Sequence, residues 1–315
     1  MRDQWSRRGF LSASGAAGVL MAVGCSSRKS AGGSIAGEAV TITHAFGETT
    51  IPAPPKRVVS AGYTGQDDLL AVGVVPIAVT NWFGDQPFAV WPWAQPKLGG
   101  AHPVVLNLDN GIQVNRIAEL KPDLIVATNA GVDVDTYQKL TAIAPTIPQS
   151  DGDAFFEPWK DQATAIGRAV FQADQMQSLI DGVDTKFTDV ATAHPSFKDK
   201  KALLLQGRLD HGNVVASTGW RTEFLTQMGL VVADQAGVIG HDQIKPVLGA
   251  TDVLIWTTES DDEQQALLGD PDIAAVQPRS VFTTAELAGA IAFASPLSYP
   301  LMADQLPGLI AGVVG

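Results

Sequence analysis

The chain has 315 residues, 45% of them hydrophobic, with 33 Asp+Glu against 21 Lys+Arg and a net charge of −12. That acidic surplus excludes the clustered positive charge a nucleic-acid footprint needs. The apolar content over this length supplies core for two domains.

The chain opens MRDQWSRRGFLSASGAAGVLMAVGCSS. Arg7 and Arg8 precede an uncharged run from Leu11 to Gly24, 14 residues long. A helix crossing a bilayer needs about 20, so a basic start, a short apolar run and small residues describe a secretory signal. Ser6 to Leu11, SRRGFL, resembles a twin-arginine export signal. Ala22-Val23-Gly24-Cys25 resembles a lipobox, with Ala22 where leucine is usual. Cys25 is the single cysteine, so an internal disulfide is excluded and lipid modification accounts for an exported unpaired thiol. Residues 1–24 therefore read as a lipoprotein signal. Residues 25–38, rich in Gly and Ser, read as a flexible tether from lipidated Cys25 to the outer face of the cell membrane. Loss of residues 1–24 removes Arg2, Arg7, Arg8 and Asp3, which leaves 18 basic and 32 acidic residues and a net charge of −14.

From Val40, VTITHAFGETTIPAP reads as a hairpin turning at Gly47-Glu48. Strands are expected at Arg57–Ser60, Val75–Thr80, Asp123–Ala127 and Thr146–Pro148, with helices at Gln66–Val72, Val114–Leu120 and Val134–Ile143. β-branched apolar runs alternating with helices indicate a parallel sheet covered on both faces. The order returns with strands at Lys201–Gln206, Leu230–Ala233, Val253–Thr257 and Ser280–Thr283, a helix at Glu223–Met228, and a closing helix at Tyr299–Ile310. Between the two halves, Met176, Ile180, Val183, Phe187 and Val190 step by 4, 3, 4 and 3, which predicts one amphipathic helix over about 174–193. Asp174, with Gln177 three residues on, is its expected N-cap, and His194-Pro195 its end. The fold class is thus α/β: two Rossmann-like lobes, residues 39–155 and 196–315, joined through a linker region at 156–195 whose long helix acts as a strut, with a ligand cleft between the lobes.

In open α/β sheets ligands sit beyond the carboxyl ends of the strands. That rule selects Tyr63 and Thr64, Asn81 and Trp82, and Thr128 and Asn129 in the first lobe. In the second it selects Arg208, Trp256 and the helix start Trp220-Arg221. The stretch NWFGDQPFAVWPWAQ, Asn81 to Gln95, holds five aromatic residues but is broken by Gly84, Pro87 and Pro92, so it reads as a loop. Exposed rings need cover, from either core or ligand. Trp82, Trp91 and Trp93 are candidate cleft walls, with Trp91 and Trp93 equally suited to plugging the lobe. Arg208 and Arg221 would supply positive charge and cation–π attraction, although Arg208 could instead pair with Asp210, and Tyr63 could be a loop anchor. Asp67-Asp68 and Asp261-Asp262 read as solvated surface.

No two of the five histidines, His44, His102, His194, His211 and His241, lie two to four residues apart, so no local zinc spacing exists. Neither a GxSxG elbow nor a P-loop occurs. An exported α/β enzyme, or a scaffold lipoprotein that has kept the fold without transport, are the alternatives from other classes.

PKRVVSAGYTGQDDLLAVGVVPIAV (Pro55–Val79), VNRIAELKPDLIVAT (Val114–Thr128), KLTAIAPTI (Lys139–Ile147), GATDVLIW (Gly249–Trp256) and SPLSYPLMADQLPGLI (Ser295–Ile310) form an ordered set. Together they resemble the substrate-binding proteins of ABC importers for ferric siderophores, haem or vitamin B12, and the tryptophan-rich loop resembles the ferric-siderophore branch. The resemblance implies a monomeric, non-enzymatic protein without an intrinsic cofactor. It would bind an iron(III)–siderophore complex, or alternatively haem with Tyr63 or His102 as axial ligand. It also implies a permease partner, docked in the family by one surface glutamate on each lobe. Asn115 stands where the first is expected and Asp242 is the nearest match to the second, with Glu119 or Glu223 as substitutes.

Overall fold

The computed structural model describes residues 39–151, 155–234 and 237–314. The signal, the tether and Cys25 lie outside the described residues. β1 (Val40–His44) and β2 (Gly47–Ile51) pair antiparallel with His44 opposite Gly47. The hairpin therefore turns at Ala45-Phe46, two residues before the expected Gly47-Glu48. Ile42 and His44 on one strand and Thr49 and Ile51 on the other are buried, the period-two alternation of a half-covered ribbon.

The first lobe follows as β3 (Val58–Ser60), α1 (Gly65–Ala71), β4 (Ala78–Thr80), β5 (Val104–Leu106), α2 (Val114–Leu120), β6 (Leu124–Val126), α3 (Val134–Thr141) and β7 (Thr146–Ile147). Its five strands are all parallel in the order β5-β4-β3-β6-β7. β3 and β6 are buried throughout, as central strands with helices on both faces must be. β5 was absent from the expected elements because three residues behind Pro103 carry too little pattern.

Two helices make the crossover, α4 (Trp159–Ala169) and α5 (Ala173–Ala193). Met176, Ile180, Val183, Phe187 and Val190 are all buried, so the apolar stripe of α5 is its packing face. Its 21 residues span about 31 Å at 1.5 Å per residue. The expected cap does not form: α5 begins after Gln172, which makes no side-chain cap bond, and Asp174 lies inside the first turn. There its carboxylate still favours the positive end of the helix dipole. Lys160 Nζ of α4 meets Asp184 of α5 at 2.7 Å.

The second lobe comprises β8 (Lys201–Gln206), β9 (Val214–Ala216), α6 (Glu223–Gln227), β10 (Val231–Val232), β11 (Gly237–Ile239), α7 (His241–Gly249), β12 (Val253–Thr257), α8 (Asp261–Leu268), α9 (Pro271–Ala274) and β13 (Ser280–Phe282). β10, β8, β12 and β13 are parallel, and β9 and β11 add an antiparallel edge that the sequence pattern did not predict. α10 (Ala285–Phe293) and α11 (Ser298–Val314) close the chain. One apolar core runs from the hairpin through α1, α4 and α5 to α11. Phe187 of α5 packs on Phe224 and on Tyr299, at 6.0 and 5.5 Å between ring centroids. The strut is thus embedded in packed side chains.

Candidate ligand-binding cleft

The carboxyl ends of the strands of both lobes border one cleft of about 780 Å³. Trp82 and Phe83, beyond β4, and Phe155 and Phe156, beyond β7, form the first-lobe wall. Gln206 and Thr257, at the ends of β8 and β12, join the turn Ser217–Arg221 opposite, and Ala288, Ile291 and Ala292 of α10 also contribute. Tyr63, beyond β3, stacks on Trp82 with centroids 5.4 Å apart and supports that ring from behind. Phe156 packs against Trp82 at 5.0 Å. The Arg221 guanidinium lies 4.6 Å from the Phe156 ring centre and 4.7 Å from that of Trp220. Two ring faces therefore hold this charge by cation–π attraction. Concave, ring-lined space of this size, with polar side chains of Gln206, Ser217, Thr218 and Thr257 among the rings, suits an organic ligand.

Residues 58–287 match the family model described as "Periplasmic binding protein". The chain belongs to that family. This binding protein is 33% identical over 179 residues to the probable siderophore-binding lipoprotein YfiY of Bacillus subtilis, covering 55% of this chain and 51% of that one. The chain spans about half the length of the curated relatives it matches. The crystal structure of a periplasmic solute binding protein from Mycobacterium smegmatis superposes with a TM-score of 0.87 at 65% identity, over 88% of this chain and 99% of that one. PiaA of Streptococcus pneumoniae, in complex with ferrichrome, shares the fold with a TM-score of 0.71 at 22% identity, over 87% and 98% of the two chains. The family and these neighbours are solute-binding proteins.

The binding protein gathers Trp82, Trp220 and Arg221 at the cleft, with Tyr63 behind them, and places the other expected ligand contacts elsewhere. Trp256 is wholly buried, stacked on Phe282 at 6.3 Å, and its Nε1 donates to Ser280 Oγ at 3.3 Å. It stands inside β12 on the face toward the lobe's own core, and the cleft receives Thr257 and Glu259 instead. Trp91 is 2% exposed and stacks flat on Trp93 at 5.0 Å. It wedges against α10, where a Cβ on Gly289 would lie 2.7 Å from its indole. Trp93, half-buried, points its Nε1 at Asp67 Oδ2, 2.8 Å away. Both tryptophans thus join the loop to the core, the plugging role.

Arg208 is also outside the cleft lining. Its side chain is 70% exposed, with Nε 2.6 Å from Glu263 Oε1 and Nη2 3.7 Å from Glu259 Oε1. These carboxylates attract it toward α8, and its partners are not Asp210. His102 stacks on Phe88 at 4.6 Å, away from the cleft. Neither Tyr63 nor His102 is among the described lining residues. Thr64, Thr128 and Asn129 are buried, and Asn129 Nδ2 donates to Thr64 Oγ1 at 2.7 Å.

Asp67 and Asp68 are 0% and 1% exposed, contrary to a solvated reading. α1 is covered on every side, all seven of its residues being buried, so adjacent carboxylates find different partners. Asp67 Oδ2 accepts from Ser295 Oγ at 2.7 Å as well as from Trp93, and Asp68 Oδ2 accepts from Gln162 Nε2 at 2.6 Å. Burial pushes Asp67 up to about 6, against the hydrogen bonds from Ser295 and Trp93 that lower it. Burial holds Asp68 well above the carboxylate range, with the charges of Asp67 and Glu157 adding to the shift. Glu157 is raised by burial too, although it accepts from the backbone N–H of Ser150 at 2.7 Å. Asp261 and Asp262, in the first turn of α8, are exposed as expected.

Among the cleft residues missed by sequence reasoning are Phe155, Phe156, Gln206, Thr257, Glu259 and the α10 positions. The strand-end rule, extended to β7, would have found the two phenylalanines. Glu119, exposed on α2, pairs with Arg116 at 2.7 Å, and Asp242 is exposed in the first turn of α7. No group of three or more His, Cys, Asp or Glu side chains that could hold a metal occurs among the described residues.

Proposed function

We propose that this is an exported, membrane-tethered binding protein that captures a ferric siderophore between its lobes and delivers it to an ABC importer. The observation that carries the reading is the interlobe cleft of about 780 Å³, walled by Trp82, Phe83, Phe155, Phe156 and Trp220, with Arg221 stacked among them. Rigid rings offer large apolar contact at low entropic cost, which suits the organic shell of an iron chelate, and the guanidinium suits an acceptor on that shell. The names of YfiY, a siderophore-binding lipoprotein, and of PiaA with ferrichrome support the same ligand class. The signal, lipidated Cys25 and the tether at 25–38 would keep the protein at the outer face of the membrane, with Glu119 and Asp242 presented to the permease.

Titration of the purified protein with ferric siderophores, followed by tryptophan fluorescence, tests this reading. Saturable quenching is expected, because Trp82 and Trp220 would lie against the iron complex. Absence of a saturable response to ferric hydroxamates, catecholates and citrate alike would overturn it.

A further inference from the structure

Two rings of the first-lobe wall stand on irregular backbone. Trp82 and Phe83 lie between the end of β4 at Thr80 and the helical turn that begins at Pro87, and both are half-buried. Neither a strand ladder nor a helix repeat directs such side chains, so their placement depends on what packs behind them. Tyr63 and Phe156 supply two of those contacts to Trp82. Phe293, from near the far end of the chain, supplies another.

Phe293 is the last residue of α10 and is 3% exposed. Its ring centre lies 5.7 Å from that of Trp82 and 6.2 Å from that of Phe83. It also meets the two plugging tryptophans edge to face, Trp91 at 6.1 Å and Trp93 at 5.8 Å. All four separations lie in the range where aromatic pairs attract. One side chain therefore bridges the rings that border the cleft and the rings rooted in the core. Phe293 is not itself among the lining residues.

Its own placement is fixed from both sides. Before it, α10 turns Ala288, Ile291 and Ala292 to the cleft, and Trp91 presses on Gly289. After it, Ala294 takes a left-handed conformation at φ 48° and closes the helix, its N–H donating to Ala290 O at 3.3 Å. Ser295 then donates to the buried Asp67 at 2.7 Å. A ring held in this way sets the spacing between the aromatic wall and the α10 wall.

We infer that Phe293 is a positioning residue of the cleft: without touching ligand, it holds Trp82 and Phe83 in the orientation that receives it. Rings ordered before binding lose little freedom on contact, and such pre-organisation acts mainly on dissociation. The inference rests on the cleft being the ligand site, as proposed above.

Phe293→Leu removes the ring but keeps an apolar side chain, and Phe293→Met repeats the test with a flexible gap-filler. Phe197→Leu is the control. Phe197 is wholly buried against His194 and precedes β8, at the opposite end of the second-lobe sheet from the cleft. Fluorine NMR of the ligand-free mature protein, labelled with fluorotryptophan, reads Trp82 directly once its line is assigned with Trp82→Phe. In both Phe293 variants that line is expected to broaden or split as the indole samples further orientations. A displaced line of unchanged width would reflect only the loss of a neighbouring ring current. The kinetic probe is whichever iron(III) complex, of a tris-hydroxamate, a tris-catecholate or citrate, wild type binds most tightly. Chased by an excess of the matching gallium(III) complex and followed by recovery of tryptophan fluorescence, it is expected to leave both variants about tenfold faster than wild type. Phe197→Leu is expected to lower the melting temperature and to leave the Trp82 line and the dissociation rate unchanged. A Trp82 line as narrow as in wild type, an unchanged dissociation rate, or equal effects of Phe197→Leu on both readouts would overturn the inference. Failure of all three complexes to bind wild type would remove the siderophore reading instead, and the width of the Trp82 line would still decide the positioning role.

Discussion

Asp67 of α1 accepts a hydrogen bond of 2.7 Å from Ser295 Oγ, 228 residues further along the chain. The same oxygen takes the Trp93 indole N–H at 2.8 Å. One buried carboxylate thus ties a helix of the first lobe, the aromatic loop and the turn that leads into α11. Its second oxygen, Oδ1, has no hydrogen-bond partner, and burial has raised the group to about 6.

A pH dependence follows from the sign of that shift. The carboxyl releases its proton near 3.8 when unfolded and near 6 when folded, so the folded state binds the extra proton between those values. Stability is greatest below the window and is lost as pH rises through about 6. Asp68 and Glu157 are shifted in the same direction. The full Asp67 contribution is on the order of 3 kcal/mol. Thermal unfolding is expected at a lower temperature at pH 7.5 than at pH 5. Asp67→Asn, which retains an acceptor for Trp93 and Ser295 without the charge, is expected to shrink that difference. An unchanged pH dependence in the variant would contradict the assignment.

Trp82 and Trp256 separate binding from folding. Both are indoles near the end of a central strand, yet one lines the cleft and the other is wholly buried. Trp82→Ala is expected to weaken chelate binding by about 10- to 100-fold, the range of an aromatic anchor worth roughly 1–3 kcal/mol. Trp256→Ala is expected to cost about 3–5 kcal/mol of stability and to leave affinity nearly unchanged in the fraction that folds. Chelate titration and chemical denaturation of the pair check both halves.

That contrast shows where sequence reading reaches its limit. Long periodic signals survive folding: the stripe on α5 and the apolar run of β12 are readable because burial of one face, or of two, repeats many times within one segment. The direction of a single side chain at a strand end does not, since one residue of shift moves it to the opposite face. Trp256 was therefore misplaced, and its neighbour Thr257 reached the cleft. β5, β9 and β11 have three residues each and are strands because a neighbouring edge pairs with them. Asp67 and Asp68 look solvated because charged neighbours usually are. Their burial depends on Ser295 and Gln162, at chain separations of 228 and 94 residues.

Gly289 tests the seam between the aromatic loop and α10. A Cβ there would approach the Trp91 indole to 2.7 Å, and Gly84 presses on the same ring from the loop side. Trp91 is stacked on Trp93 as well, so the indole has no room to retreat. Gly289→Ala is expected to destabilise by about 1–3 kcal/mol through overpacking, despite the better helix propensity of alanine. A variant with a raised melting temperature would show that the Trp91 indole can retreat from the seam and would overturn the assignment.

Docking to a permease through surface carboxylates makes a different demand, because it should fail without loss of ligand binding. Glu119 on α2 and Asp242 on α7 are both exposed, and neither lines the cleft. Glu119 is shared with Arg116 at 2.7 Å in an exposed pair. Such pairs contribute little to stability, so under the proposed docking the carboxylate could exchange Arg116 for a cationic partner at small cost. Charge reversal changes the sign of that encounter and should act chiefly on association. Glu119→Lys and Asp242→Lys are each expected to leave chelate affinity and melting temperature close to wild type. Together they are expected to reduce iron-chelate uptake by cells at least about tenfold, in line with like-charge juxtaposition at an interface. Full uptake by the double variant would move docking to another surface, whereas loss of binding in vitro would mean that these helices support the cleft.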